Sequence, residues 1–261
     1  MQSVVITALI VWMLFFNQLF AKTLVRVGGY QFPPYIELEH GLAKGFTVEL
    51  IRQLNQMQQD YHFELVLTTP IRRHQDYQQG LFDAIFFEDP YWGWVQRGIA
   101  IDNSPAFAKD DEVFIALASN ASSQQWFDDL SDKTIAGILG FHYQIANYET
   151  DPDLLAEKHY MTLVSDHQAS IELVLKQRTD TAIVTRSFLH QYLRSHPENS
   201  EKIIISDRVD QSYHHQLLIN PEHELAIATL HQWVLQLLQQ EQLSHKLHRH
   251  GLTLLPEVTD H

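Results

Sequence analysis

The sequence has no cysteine and few basic side chains, and both shortages exclude classes of protein. Without cysteine there is neither a disulfide framework nor a thiol that could carry a lipid anchor after a signal peptide. The 18 lysines and arginines stand against 32 aspartates and glutamates, which gives a formal net charge of −14. No basic stripe is available to neutralise phosphates, so nucleic acid is not an expected partner.

Long hydrophobic runs are also scarce, and the main one lies at the start of the chain. It extends from Val4 to Phe16, about thirteen residues, whereas a membrane-spanning helix needs about 20. Residues 1–21 carry no charged side chain and end at the small residue Ala21. We therefore expect a secretory signal peptide cleaved before Lys22, with an uncleaved membrane anchor as the alternative. An exported, acidic chain without cysteine predicts a location in a bacterial periplasm, and not as a lipoprotein.

After this segment, short apolar strands alternate with amphipathic helices in two successive runs, which predicts an α/β fold with mostly parallel sheets. Two prolines in "QFPPYIEL" predict a rigid loop between the first strand and the first helix. In the first run, strands are predicted over Leu24–Val27, Tyr61–Leu67 and Phe82–Phe87, with helices near residues 46–57 and 71–80. In the second run, strands are predicted over Glu112–Ala118, Thr134–Leu139, 160–164, Thr181–Thr185, 202–206 and 216–219, with helices near residues 166–177, 187–193 and beyond 221.

Several segments resemble, in the same order, those of the periplasmic solute-binding proteins of ABC transporters, in the cluster with the type II fold that includes amino-acid receptors. They include "LVRVGG", "FPPYIEL", "GFTVEL", "QQGLFDAIFF", "IAIDNSPAF", "FDDLSDKTIAGILGFHY" and "VLKQRTDTAIVTRSFLHQYL". The resemblance implies two lobes joined by two crossover strands, with the ligand held between them and hinge closure around it. It places the first lobe at residues 22–110 and 207–261, and the second at residues 111–206.

The resemblance also implies a function without chemistry or cofactor. Such a protein captures a small polar, amino-acid-like or anionic solute and delivers it to a membrane permease, and we expect a monomer. An enzyme on the same fold, a dehydratase of a prephenate-like acid, is the main alternative, and it would need a carboxylic acid with a raised pKa. A ligand-sensing protein that docks on a membrane sensor is a third possibility.

In the first lobe, the resemblance assigns ligand contact to aromatic and acidic residues that follow predicted strands. Phe32 and Tyr35 lie in the loop after the first strand. Glu88 and Asp89 follow the third strand, where a carboxylate could pair with a ligand ammonium and Trp92 could add a cation–π face. Alternatively, Asp89 could cap a helix that has Pro90 at its first position.

Arginines supply the expected partner for a ligand carboxylate, since their guanidinium offers a fixed bidentate geometry. Arg97 falls where many amino-acid receptors carry this arginine, although Trp94 replaces the threonine of their pattern. Arg73, together with Arg72, is an alternative anion-binding group, unless these two side chains form a solvated helix face.

In the second lobe, Gly140, His142 and Tyr143 open a predicted helix whose free N–H groups could hold an anionic ligand group. Thr185, followed by Arg186, occupies the position of the family's ammonium-binding aspartate. Because that aspartate is missing, either Glu88 or Asp89 replaces it or the ligand is not an ordinary α-amino acid.

Histidines are frequent, with 16 in the chain. His245, His248 and His250 could converge on a metal ion, but no cysteine or acidic ligand lies nearby, so a solvated helix is preferred and no metal is predicted. His214 and His215 lie near the second crossover, where a change of charge with pH could affect closure; an ordinary strand is the simpler interpretation.

Overall fold

The protein is described by a computed structural model over residues 22–255, so the expected signal peptide lies outside the described residues. Within this range the chain forms seven α-helices, and no helix there is long and apolar enough to cross a membrane. The helices are α1 (Phe46–Met57), α2 (Arg73–Gln78), α3 (Pro152–His159), α4 (His167–Leu175), α5 (Arg186–Ser195), α6 (Ile227–Leu238) and α7 (Glu241–Arg249). The strands are β1 (Thr23–Gly29), β2 (Glu37–Glu39), β3 (Leu42–Lys44), β4 (Tyr61–Leu67), β5 (Ala84–Glu88), β6 (Asp102–Asn103), β7 (Ala108–Leu117), β8 (Ile135–Ile138), β9 (Met161–Val164), β10 (Thr181–Thr185), β11 (Ile203–Ile219) and β12 (Thr253–Leu254).

One continuous sheet joins the two halves of the chain in the order β4-β1-β5-β11-β7-β10-β8-β9. In the first half, β1 runs parallel to β4 and β5; in the second, β8 runs parallel to β9 and β10. Helix–strand alternation favours such parallel pairs because each crossover helix covers a sheet face. The α/β architecture predicted from the sequence is therefore confirmed.

Two antiparallel strands, β7 and β11, connect the halves. Their pairing runs from Ile203 opposite Leu117 to His215 opposite Ala108, and the end of β11 then pairs with β5. The sequence predicted two separate strands, 202–206 and 216–219, with a polar stretch between them. The structure has one strand there instead, because Val209 and residues 211–215 of that stretch also pair with β7. The lobe boundaries predicted at 110/111 and 206/207 fall within these crossover strands.

The end of β5 is irregular. Phe86 lies opposite Leu217 and Glu88 opposite Gln216, so Phe87 has no partner in β11. Phe87 also has a φ of 56°, and an extra residue of this kind is a β-bulge, which bends the strand and redirects the next side chain. The bulge therefore sets the direction in which the chain enters the segment after β5.

The helical spacing of α1 predicts an apolar side of Leu50, Ile51, Leu54 and Met57. The first three are buried in the first-lobe core together with Phe46, and Met57 is partly buried. Helix α3 was not predicted from the sequence, because it buries one residue, Leu155, and lacks an apolar stripe. Its N-terminal cap stabilises it instead: the Asp151 carboxylate accepts hydrogen bonds from two N–H groups of the first turn, and Pro152 takes the first helical position.

Candidate functional site

A small enclosed cavity lies where the two halves of the sheet meet. Its volume is about 10 Å³, room for about one water molecule. Residues from the first lobe, the second lobe and both crossover strands line it: Tyr30, Phe32, Arg73 and Trp92; Gly140, Phe141 and His142; and Glu112 and Gln211. A solute larger than water can enter only if these walls separate.

Arg73, on α2, is 2% exposed and is held by three first-lobe acceptors. Its Nε donates to Glu88 Oε1 at 2.9 Å, its Nη1 to the Pro70 carbonyl and its Nη2 to the Trp92 carbonyl at 3.0 Å. The guanidinium also lies 5.3 Å from the centre of the Tyr30 ring, a cation–π distance. Three of its five N–H groups are thus used within the described residues, and the guanidinium is rigidly placed at the cavity.

Glu88 is 1% exposed and accepts hydrogen bonds from three side chains. Besides Arg73, these are Trp94 Nε1 at 3.0 Å and the Tyr30 hydroxyl at 3.0 Å. Burial raises the pKa of Glu88, and the Arg73 charge and the donated hydrogen bonds act against that rise. Glu88 was expected to face a ligand ammonium; the structure instead places it behind the cavity wall as the partner of Arg73.

Glu112, on β7, is the second buried carboxylate and is 3% exposed. Its Oε2 accepts a hydrogen bond of 2.6 Å from Nε2 of Gln211, the residue opposite it on β11. Among residues 22–255 it has no cationic partner, and its charged neighbours Asp210 and Asp110 are also acidic. Burial first, then these neighbours, raise the pKa of Glu112 well above its usual range.

Aromatic rings form much of the cavity wall. Phe32 lies at the centre, with ring centroids 5.8 Å from Trp92, 5.6 Å from Phe141 and 5.8 Å from Tyr30. The first two contacts are edge-to-face, a geometry that aromatic pairs prefer. Since Phe141 belongs to the second lobe, Phe32 is a point where the lobes touch.

Two buried histidines stand beside this wall. His74 Nε2 lies 3.0 Å from the Trp92 carbonyl, and a Cβ on Gly93 would lie 3.1 Å from both the His74 and His142 rings. Burial, with the charges of Arg73 and Arg97 adding to it, lowers the pKa of each histidine to about 3. Both rings are therefore neutral near pH 7.

The glycine turn of the second lobe is not an open anion site. Its helix is a short 3₁₀ turn, Gln144–Ala146, and the N–H groups of Gln144 and Ile145 donate to the Asp210 carboxylate at 2.8 and 2.9 Å. A side chain of the crossover strand thus occupies the position that was predicted for an anionic ligand group. Gly140 and His142 themselves do line the cavity.

Three predicted site residues lie behind the wall. Tyr35 packs in the first-lobe core, 4.5 Å from the Phe87 ring and 4.4 Å from His215. Tyr143 is buried, and its hydroxyl accepts the Ile138 N–H at 2.7 Å. Thr185 caps α5 by accepting the Phe188 N–H.

The remaining predicted residues lie at the edge of the site or outside it. Asp89 accepts the Tyr91 N–H and the His214 N–H, so it caps a turn; residues 90–97 form turns, not the helix considered from the sequence. Arg97 is exposed and lines a neighbouring cavity of about 60 Å³ with His74 and His142. Arg186 bonds Asp111 at 3.2 Å and is half-exposed.

The sequence interpretation missed Tyr30, Phe141, Glu112 and Gln211. Tyr30 and Phe141 directly follow glycines that end strands, a signal that could have found them. Glu112 and Gln211 carried no such signal, because a polar residue inside a strand is ordinarily assigned to a solvated face.

Within the described residues, no three or more histidine or acidic side chains are arranged to hold a metal ion. His250 instead packs its ring 5.4 Å from Phe46. His215 is fully buried with Nδ1 at 3.0 Å from the Phe87 carbonyl, and burial lowers its pKa to about 3. It therefore keeps its charge state across neutral pH, which argues against the pH-dependent closure considered for it.

No protein-family model matches the sequence, and no curated protein does so either. Solved structures do share its fold. A histidine-bound substrate-binding protein of an ABC uptake transporter from Streptococcus pneumoniae has a TM-score of 0.66 at 14% identity, over 85% of this chain and 91% of that one. A P235GK mutant of ArgBP from T. maritima has a TM-score of 0.64 at 14% identity, over 87% and 95%.

A further solved structure is a histidine kinase sensor domain with similarity to periplasmic binding proteins. It has a TM-score of 0.66 at 16% identity, over 90% of this chain and 99% of that one. At such identities the likeness establishes the fold and leaves the function to be argued from the site. The protein therefore has the two-lobed periplasmic-binding-protein fold that the resemblance in its sequence implied.

Proposed function

We propose that the protein is a periplasmic solute-binding protein that captures a small, polar, amino-acid-like solute between its lobes for uptake by an ABC transporter. The observation that carries the proposal is the cavity at the crossover strands. It combines a rigid guanidinium from the first lobe, a buried carboxylate from the crossover and rings from both lobes. Polar groups converging on an apolar cavity of this kind are typical of small-molecule sites.

The comparisons support the same function. The similar structures include the substrate-binding protein of an amino-acid ABC transporter and that of an ABC uptake transporter with bound histidine. A membrane permease is therefore the proposed partner, and the expected signal peptide would deliver the chain to the periplasm. The sensor-domain neighbour keeps a ligand-sensing role as the second candidate.

An enzyme on the same fold would need a carboxylic acid that stays protonated near the substrate. Glu112 has the raised pKa for such a role, but the neighbours named above are binding proteins and a sensor domain. A binding function without turnover is therefore the proposal, and product formation from a bound compound would contradict it.

A thermal-shift screen of residues 22–261 against amino acids, amines, organic acids and divalent metals tests the proposal. A ligand present at a hundred times its Kd stabilises the folded form by about 2.7 kcal/mol, a clear rise in the unfolding midpoint. We expect a small zwitterion, amine or dicarboxylate to raise the midpoint. Stabilisation by zinc or nickel and by no organic solute would contradict the receptor function.

A further inference from the structure

We propose, resting on the function above, that Glu112 on the crossover strand binds a primary ammonium group of the solute. The solute class is therefore an amino acid or amine, and its positive charge is recognised by a residue of the strands that connect the lobes. The two first-lobe acids considered from the sequence already have donors: Glu88 accepts from three side chains, and Asp89 accepts from the N–H groups of Tyr91 and, on β11, His214.

The balance of charge around the cavity calls for a cation. Arg73 and Glu88 neutralise each other, whereas the Glu112 carboxylate lacks a cationic partner among the described residues. Ionising a buried carboxyl group that has no counter-charge is costly, so burial favours its protonated form; a ligand cation at this point would supply the missing charge and stabilise the carboxylate. A solute without a positive group would leave that cost in place.

The hydrogen-bonding capacity at this point fits an ammonium. Both hydrogens of Gln211 Nε2 are used, one by Glu112 Oε2 and one by the His142 carbonyl. Glu112 Oε1 and Gln211 Oε1 make no hydrogen bond to any residue in the range 22–255, so two acceptors remain on neighbouring strands. An –NH₃⁺ group carries three donors and no acceptor.

The walls on either side fit the rest of such a solute. Rings of Phe32, Trp92 and Phe141 line the same cavity, and ring faces attract cations as well as apolar stems. The guanidinium of Arg73 still has two N–H groups without an acceptor in the described part of the chain. A carboxylate at that end and an ammonium at Glu112 would match an amino acid.

His142 gives a second, independent sign of a ligand. It lines the cavity, is more than nine-tenths buried, and its Nδ1 has no hydrogen-bond partner in the described structure. Buried polar atoms are nearly always bonded, so an orphan atom at a cavity indicates a missing partner. Its carbonyl is also tied to Gln211, which links the crossover acceptors to the second lobe.

Matched sets of probes test this assignment by thermal shift and calorimetry. One set is L-histidine, histamine and imidazolepropionate; a second is L-alanine, ethylamine and propionate. We expect at least one amino acid or amine to raise the unfolding midpoint, while the deaminated acids do not. Binding of an acid without an ammonium would overturn the role of Glu112 and leave the receptor function intact. Failure of every small organic solute, here and in the wider screen, would overturn both.

The Glu112→Gln variant keeps the shape and removes the charge. Losing one partner of a buried charge pair should weaken binding of the responding amino acid or amine about 30-fold or more. Glu112→Asp retains the charge and should retain part of the affinity, which also covers the case in which Glu112→Gln does not fold. Glu64→Gln, the same change on an exposed strand position, is the control and should bind like the wild type. Unchanged affinity in Glu112→Gln, with an unchanged circular dichroism spectrum, would refute the assignment.

Discussion

At the scale of single residues, the Arg73–Glu88 ion pair is the most deeply buried charged contact beside the cavity. Both side chains are almost fully enclosed, and Trp94 and Tyr30 complete the hydrogen bonds of the carboxylate. A buried pair of this kind adds little net stability by itself, but removing one partner strands the other charge in a medium of low polarity. Its value here is to fix a guanidinium at the boundary between the lobes.

Glu88→Gln should therefore destabilise the protein by about 3 kcal/mol, because Arg73 would keep its charge without a counter-charge. Urea unfolding at pH 7 measures the change. An exposed pair, Lys44 with Glu39 at 2.6 Å, provides the control: Glu39→Gln should cost less than about 1 kcal/mol. Equal effects of the two substitutions would contradict the structural role of the buried pair.

Asp110 provides a prediction about pH. It is buried on β7 and accepts from the Ser187 hydroxyl at 2.5 Å, and burial raises its pKa to about 6. A carboxyl whose pKa is higher in the folded state contributes stability at low pH and loses that contribution as pH rises through the folded pKa.

Relative to the wild type, Asp110→Asn should thus gain about 2 kcal/mol of unfolding free energy between pH 4 and pH 7. Denaturant titrations of both proteins at these two pH values give the difference. Asp102→Asn, on an exposed strand, should track the wild type at both values. A difference between Asp110→Asn and the wild type that is independent of pH would show that the Asp110 pKa is not raised.

At the scale of elements, the glycine turn after β8 is a contact between the lobes. Gly140 has a φ of 83°, and a Cβ there would lie 2.9 Å from Ile71 Cγ1 and 3.0 Å from the Ile71 backbone nitrogen. Side chains rarely adopt this backbone conformation, and the backbone atom opposite cannot move aside easily. The turn therefore requires glycine for two separate reasons.

Gly140→Ala should weaken solute binding about tenfold or more, because the added methyl group holds the lobes apart. Gly41→Ala is the control for backbone strain without a steric contact, because Gly41 has a φ of 81° and no atom lies within 4 Å of the added Cβ. That control should lose a similar amount of stability and keep its affinity. If both variants bind equally well, the turn does not limit closure.

Helices and strands with a clear hydrophobic period could be predicted from the sequence. The bounds of β10 and the buried stripe of α1 agree with their patterns. The continuity of β11 could not be predicted, since its polar residues pair with Asp110, Asp111 and Glu112 of a strand about one hundred residues away. Polar residues are accepted in that ladder because their partners are polar too, and a local pattern carries no information about a distant partner.

The residues of the candidate site that lie at strand ends or helix starts could be predicted from the sequence, and those that depend on the pairing of distant strands could not. Phe32, Arg73, Trp92, Gly140 and His142 follow strand ends or helix starts, where ligand sites of α/β proteins collect, and the structure brings them to one cavity. Their contact with a ligand remains a prediction. Glu112 and Gln211 depend on the crossover pairing, so their place at the cavity required the fold.

For the whole molecule, the size of the cavity predicts a change in shape. A volume of about 10 Å³ admits no amino acid, so we expect the free protein in solution to hold its lobes apart and to close them around the solute. Small-angle scattering should show a radius of gyration that falls when the responding solute is added, and the Gly140→Ala variant should respond less. Identical scattering curves with and without saturating solute would contradict a hinge between the lobes.

The long strand β11 also imposes an order on how the chain folds. Leu218 pairs with Ile85, so the first-lobe sheet gains this strand by closing a loop of roughly 130 residues, a slow and entropically costly step. The second-lobe strands β8, β9 and β10 lie inside that loop and pair with one another across far shorter separations. The first-lobe strands β1, β4 and β5 also pair across short separations, so we expect both sets of parallel strands to form before β11, whose pairing with β5 and β7 joins the lobes and assembles the cavity.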